Sequence, residues 1–148
     1  MNYVTGIFAL LIGVVGIWMG TKMILLYFKV KKWMLLPAQV VSKEVFEHKK
    51  YSSSISKFGI RVNYLFQFNA KEYNGNKVYL VELINGQTNH LKKTADKKIS
   101  EIKDTMNVYV NPDNPNESVL FCNGIGLNII VVLMGLFSVL FGLVTIFN

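Results

Sequence analysis

The charged side chains of this 148-residue chain are confined to its middle, between Lys22 and Glu117. The first 21 residues and the last 31 contain none. A water-soluble chain with 51% hydrophobic residues spreads its charges along amphipathic helices and strands, whereas here the two kinds of residue form separate blocks. This distribution predicts an integral membrane protein with a polar domain between two membrane-spanning segments.

The two terminal blocks are long enough to cross a bilayer as helices. Residues 4–28 would extend roughly 37 Å at about 1.5 Å per residue, compared with a hydrocarbon core of about 30 Å. Residues 125–147 form a second segment of 23 residues without a charge. We therefore divide the chain into a transmembrane helix over residues 1–28, an extramembrane domain over 29–124 and a transmembrane helix over 125–147.

The lysines near the first segment indicate whether it is retained as an anchor and on which side of the membrane the central domain lies. Lys29, Lys31 and Lys32 follow the apolar block, whereas a cleaved signal peptide carries its positive charges before it, so a retained anchor is favoured. Lys22 is expected to snorkel to the membrane interface, and a transport role inside the membrane is the alternative. These lysines place the central domain in the cytoplasm by the positive-inside rule. The extracytoplasmic side remains the alternative, because long loops are translocated regardless of charge.

Small residues recur along each apolar segment at spacings of three, four and seven: Gly13, Gly16 and Gly20 in the first, and Gly135, Ser138 and Gly142 in the second. Such spacings put small residues on one side of a helix and let another backbone approach closely. We predict that the two helices pack as an antiparallel hairpin. The alternative is that one stripe binds a second copy or another protein. Asn128 is expected to cap its helix or meet lipid headgroups, with a hydrogen bond to the other helix as the alternative.

The middle of the chain predicts a small antiparallel β-rich domain, so the fold class is a membrane protein of the α+β type. In the clearest strand, residues 59–69, Ile60, Val62, Tyr64, Phe66 and Phe68 alternate with Arg61, Asn63, Leu65 and Gln67. Further strands are predicted over 38–48, 77–84, 106–110 and 118–121, with turns over 49–57, 70–75 and 85–86. One short helix is predicted near Thr94, which resembles an N-cap.

The sequence offers little for catalysis or metal binding. His48, His90 and Cys122 have no partner at ligand spacing, and no serine nucleophile motif or glycine-rich phosphate loop occurs. The carboxylates of the central strands are predicted to be solvated: Glu44, Glu47, Glu72 and Glu82. We therefore expect no catalytic residue, no metal, no cofactor and no enzymatic activity.

Four lysines near the predicted helix form the most basic cluster of the chain: Lys92, Lys93, Lys97 and Lys98. They are candidates for contact with anionic lipid headgroups, to which each basic residue near the surface contributes about 1 kcal/mol. A solvated helix face is the other interpretation. Nucleic acid is disfavoured, because the domain is expected to be tethered and its aromatic residues alternate as core residues do.

The order of these parts resembles the family called domain of unknown function 3592. The most specific part of the likeness is VYVNPDNPNESVL, residues 108–120, and Tyr64 with the Glu72-Tyr73-x-Gly75 segment adds to it. The resemblance implies a bacterial two-span protein of the inner (cytoplasmic) membrane with a β-rich domain between the spans, and it supplies no catalytic residues. The residues Asn111, Pro112, Asn114 and Pro115 are predicted to form a rigid double turn, because proline fixes φ and asparagine bonds the local backbone.

We accordingly expect a non-enzymatic, membrane-anchored interaction or accessory protein. The lipid bilayer and a protein of unknown identity are the expected partners, and a homo-oligomer is compatible with the sequence. Candidate contacts are Arg61, Asn63 and Gln67 on the exposed side of the sheet, and the serine-rich segment at residues 52–54. The alternatives are an immunity-type or regulatory protein that acts on a partner through its spans and, less favoured, a small transport component.

Overall fold

The computed structural model of the protein describes residues 2–48, 57–84 and 88–147. The elements follow in the order α1 (Asn2–Lys31), β1 (Met34–His48), β2 (Lys57–Phe68), β3 (Lys71–Gly75), a 3₁₀ helix (Leu80–Ile84), α2 (Lys92–Ser100), β4 (Thr105–Val110), β5 (Ser118–Val119) and α3 (Ile125–Phe147). They divide into two compact units. The helical unit comprises Met1–Phe28 with Gly124–Asn148, and the β-domain comprises Lys29–Asn123.

The helical unit is an antiparallel pair of long apolar helices. The start of α1 lies against the end of α3, since Gly6 adjoins Gly142, and Gly20 near the other end of α1 adjoins Asn128. Both helices are long and apolar enough to cross a membrane. In their most apolar windows, 17% of α1 and 11% of α3 are buried. The pair therefore buries one narrow strip of each helix and leaves the large side chains on the outside.

The β-domain is built on one five-stranded antiparallel sheet in the order β3-β2-β1-β4-β5. This sheet and the single helix α2 agree with the predicted α+β class. The central strand β1 pairs with β2 along most of its length and with β4 over its first six residues. A bulge between Val40 and Ser42 shifts the register by one residue. Beyond the bulge, β1 and β2 continue as a two-stranded arm.

One side of the sheet carries the core. The alternation predicted for β2 is confirmed, because Ile60, Val62, Tyr64 and Phe66 are all buried. Helix α2 covers this side of β1 and β2, and it contributes Ala95 to the same hydrophobic cluster. We call this side the inner face.

Two predicted elements between β2 and α2 are wrong. The segment 77–84 is not a strand, because its second half forms the 3₁₀ helix, and its residues Val78 and Leu80 are buried in the core. The strand lies earlier, at Lys71–Gly75, where a turn was predicted. The turn is confined to Asn69 and Ala70, both at positive φ (51° and 60°), as in a two-residue hairpin loop of type I′.

Thr94 does not cap α2. The helix begins at Lys92 with Leu91 as its N-cap, and no side chain there bonds the first turn. The predicted turn at Asn85-Gly86 and the serine-rich segment at residues 52–54 lie outside the described residues.

Candidate functional site

The predicted small-residue stripes meet in the contact between α1 and α3. A Cβ atom added to Gly13 would lie 2.6 Å from the carbonyl oxygen of Gly135, and one added to Gly142 would lie 2.7 Å from that of Gly6. Gly20 is equally close, since its added Cβ would lie 2.6 Å from a methyl group of Val132. These glycines therefore let the two backbones touch.

Gly16 and Ser138 have different roles from the other stripe residues. A Cβ at Gly16 would meet its nearest atoms at 3.8 Å, which is an ordinary contact. The Ser138 hydroxyl donates a hydrogen bond of 2.8 Å to the carbonyl oxygen of Ala9 across the pair. Gly6 belongs to the contact but was missed in the sequence. Its position seven residues before Gly13 was the available signal.

Asn128 and Lys22 make local contacts within the helical unit. Asn128 donates to the carbonyl oxygen of Gly124 at 3.1 Å, four residues earlier, and this bond satisfies no free main-chain N–H of the first turn. The ammonium of Lys22 lies 5.6 Å from the centroid of the Trp18 ring on the same helix. Neither contact joins one helix to the other, so these two residues do not form a common polar site.

The double Asn-Pro turn is organised around Glu117. The Asn111 amide donates to one carboxylate oxygen of Glu117 at 2.9 Å, and the Asn114 amide donates to the other at 3.2 Å. The main-chain N–H of Asp113 donates to the Asn111 side-chain oxygen at 3.1 Å. Pro112 and Pro115 lie within this loop. The four predicted turn residues are therefore brought together, and Glu117 is the partner that sequence analysis did not single out.

The predicted basic cluster lies on and around α2. Lys92, Lys93 and Lys97 are exposed, whereas Lys98 is half-buried, with its ammonium 4.7 Å from the centroid of the Tyr79 ring. The start of α2 follows His90, which pairs with Phe58. Phe58 pairs with Glu47 of β1. Glu47 comes thirteen residues after Met34, which puts it roughly 40 Å from the start of the strand. The basic cluster therefore begins at the end of the sheet that is far from Met34, the first residue of β1. Lipid contact by the lysines of α2 stays a prediction.

A polar and aromatic cluster around Tyr79 was missed in the sequence. The Tyr79 ring packs edge-on against His90 and stacks on Phe121, with centroid distances of 5.8 and 5.9 Å. Burial, with the nearby carboxylates of Glu82 and Glu101, raises the pKa of Tyr79 to about 12. No sequence spacing could reveal this cluster, because its members come from separate elements.

The prediction that the carboxylates of the central strands are all solvated is wrong for Glu82. It is half-buried, and it accepts hydrogen bonds from the main-chain N–H of Val78 at 2.7 Å and from the Thr88 hydroxyl at 3.3 Å. Burial raises the pKa of Glu82, although these hydrogen bonds oppose the shift. Its bonds join the 3₁₀ helix to the segment before α2, which fits a structural role.

His90 has an orphaned ring nitrogen. Its main chain exchanges two hydrogen bonds with Phe58, at 2.8 and 2.9 Å. Its Nε2 atom is buried without a hydrogen-bond partner among the described residues. Burial and the nearby Lys98 ammonium lower the pKa of His90. Within the described part of the chain, no group of three or more His, Cys, Asp or Glu side chains is placed to hold a metal ion.

The opposite side of the sheet from α2 is uncovered over most of its length, and we call it the open face. By alternation and register its residues are Leu35, Pro37, Gln39, Val41, Ser42, Glu44 and Phe46 of β1, Lys57, Arg61, Asn63, Leu65 and Gln67 of β2, Glu72 and Asn74 of β3, and Thr105, Asn107 and Tyr109 of β4. The predicted contact residues Arg61, Asn63 and Gln67 all lie on it. That the open face also extends over β1, β3 and β4 became visible only from the register of the paired strands.

Few charged side chains lie on the open face. The Arg61 guanidinium donates to the Glu44 carboxylate at 2.6 Å and lies 4.7 Å from the centroid of the Phe46 ring. Asn63 donates to the Ser42 hydroxyl at 2.9 Å. A groove of about 400 Å³ crosses the face, lined among others by Gln39, Leu65, Gln67, Glu72 and Thr105. Amide and hydroxyl groups around an apolar floor suit a neutral, hydrogen-bonding partner surface.

Comparison with family models finds no match for the chain. A search among curated proteins likewise finds none. The resemblance to the domain of unknown function 3592 accordingly stays a prediction.

Proposed function

We propose that this chain is a non-enzymatic, membrane-anchored interaction protein. The helical pair anchors it in the bilayer, and the β-domain binds a protein partner at the membrane surface through the open face.

The observation that carries the proposal is the outer surface of the helical unit. Large apolar side chains point outward along both helices, with exposed fractions of 66% for Trp18, 68% for Phe137 and 70% for Leu127. The core helix of a soluble protein is mostly buried, and soluble proteins rarely expose apolar patches larger than a few hundred Å². A hydrocarbon environment removes this difficulty, because lipid tails solvate the outward side chains while the glycine strips stay in contact.

We propose that the β-domain faces the cytoplasm of a bacterial cell from its inner membrane. Lys29 and Lys31 lie in the last turn of α1, directly after the apolar stretch, where the positive-inside rule gives most weight to charge. The same lysines interact favourably with the carbonyl end of the helix. The bacterial source is what the family resemblance implies.

The glycine stripes argue against the alternative that the two spans bind a partner inside the membrane. Their small residues already face one another in the α1–α3 contact, so a third helix would have to displace one of the two. A transport role has less support, because Lys22 and Asn128 make only local contacts and the two apolar segments contain no acidic residue. Interaction through the β-domain is therefore the function that the geometry favours.

Two experiments on the full chain test the proposal. After alkaline carbonate extraction we expect the chain in the membrane pellet and its release only by detergent, and release by carbonate alone would refute anchoring. For the side of the domain, we use Ser100→Cys in a Cys122→Ser background, because Ser100 is exposed on α2. We expect an impermeant thiol reagent to leave this cysteine unlabelled in intact cells and to label it after lysis. Labelling in intact cells would put the domain outside.

A further inference from the structure

The charge distribution of the β-domain restricts where a second copy can approach. This unit contains 15 of the 16 Lys and Arg residues and all 9 Asp and Glu residues, so two copies repel each other over most of their surfaces. The open face differs, because among the described residues the only lysine that its strands place on it is Lys57, at the far end of the two-stranded arm. Its single arginine is already paired with Glu44. Apart from Lys57 at the end of the arm, two open faces can meet without bringing unpaired positive charges together.

The chemistry of the open face is complementary to itself. The amide side chains of Gln39, Gln67, Asn74 and Asn107 each both donate and accept hydrogen bonds, so a twofold axis can pair amides with amides. Apolar contacts are available between them, since Leu35 is 52% exposed and Val41 is 62% exposed. A partner of opposite charge would find little to recognise here, because in the part of the chain that the structure describes the strands add only Lys57 and Glu72 to the Arg61–Glu44 pair on this face.

The area of the open face is sufficient for a modest dimer. Four strands at about 4.8 Å spacing over six residues, together with the two-stranded arm, give roughly 600 Å² per copy. Two copies would bury roughly 1,200 Å², the lower limit for specific protein interfaces. Anchoring in one membrane holds copies in one plane and raises their effective concentration, so a weak contact is enough.

We propose that the open face binds the open face of a second copy of this chain, related by a twofold axis. This inference rests on the proposed function and names the protein partner at that face. A different protein partner is then an outcome of the test below.

The test is photo-crosslinking of the full chain in its membrane, with p-benzoylphenylalanine in place of Gln39. A matched control carries the crosslinker in place of Ser100, which is exposed on α2, on the opposite side of the sheet. Two differently tagged copies are expressed together. We expect an adduct of twice the chain's mass that carries both tags from position 39, and at least about tenfold less of it from position 100.

A second variant adds like charge to the interface. Thr105 is exposed on the open face, and Thr105→Lys would bring extra positive charges together in the dimer, whereas Ser100→Lys adds the same charge away from it. We expect Thr105→Lys to reduce the double-tagged adduct by about tenfold and Ser100→Lys to leave it unchanged. Both positions are exposed, so the fold of the domain is retained.

Each remaining outcome decides the inference. Equal adducts from positions 39 and 100 would indicate random collision and overturn it. An adduct of another mass only would overturn the second copy as partner and leave the proposed function standing. Absence of any protein adduct at position 39 would overturn both.

Discussion

Replacing Gly13 by alanine tests the claim that α1 and α3 are held together by direct backbone contact. The added methyl group would lie 2.6 Å from the carbonyl oxygen of Gly135 and 2.9 Å from the backbone nitrogen of Val139. Neither atom belongs to a flexible side chain, so the two helices must separate locally. Overpacking of this kind costs about 1–3 kcal/mol.

Two other glycines of the helical unit provide matched controls for the same substitution. A Cβ at Gly16 would meet its neighbours at 3.8 Å, and one at Gly126 would have no neighbour within 4 Å. Alanine is also the better helix former by about 0.8–1.0 kcal/mol, a difference that favours all three substitutions. Gly16→Ala and Gly126→Ala are therefore expected to be neutral or slightly stabilising.

The assay follows the separation of α1 and α3 in detergent. Donor and acceptor dyes are attached to cysteines that replace Tyr3 and Phe147, which are exposed at the same end of the pair, in a Cys122→Ser background. Increasing sodium dodecyl sulfate separates the helices and removes energy transfer. We expect the midpoint to fall for Gly13→Ala alone. Equal midpoints for Gly13→Ala and Gly16→Ala would refute the contact geometry.

Three further predictions concern the β-domain. Glu117→Ala removes the acceptor of the Asn111 amide and should lower the free energy of unfolding by about 1–3 kcal/mol in urea, whereas exposed Asp113→Ala should change it by less than about 0.5 kcal/mol. Because the pKa of Tyr79 is about 12 in the fold and 10 when unfolded, stability should fall as pH rises from 10 to 12, and less steeply in Tyr79→Phe. Because the pKa of His90 is lowered from 6.5, thermal stability should decrease as pH falls below 6.5, an effect that should be smaller in His90→Gln.

The terminal helices and the alternating strand β2 were accessible to sequence reasoning. A charge-free stretch of this length has few alternatives, and α3 spans the residues expected for it, 125–147. In β2 the period of two separates the buried from the exposed residues without ambiguity. Both features are recorded in the sequence itself, because each depends on neighbouring residues only.

The segment 69–84 shows where local patterns fail. An apolar run such as 77–84 suits a buried strand and a short helix equally well, and periodicity does not separate them. The real turn contains Ala70 at positive φ, which no turn propensity predicts. The roles of Glu82 and His90 depend on contacts between separate elements. The open face likewise required the register of four strands; β1, β2 and β4 were predicted as strands, but their pairing and the strand β3 were not.

The arrangement of the sheet has a consequence for the synthesis of the chain. Helix α3 is synthesised after the β-domain. The glycines of α1 therefore lack their contact with α3 while about a hundred residues are translated. In the folded sheet, however, Met34 lies opposite Val110, which lies opposite Ser118. The two ends of the β-domain are thus held two strand spacings apart, roughly 10 Å. A β-domain that folds before α3 emerges turns a long and entropically costly loop closure into the joining of two neighbouring chain ends.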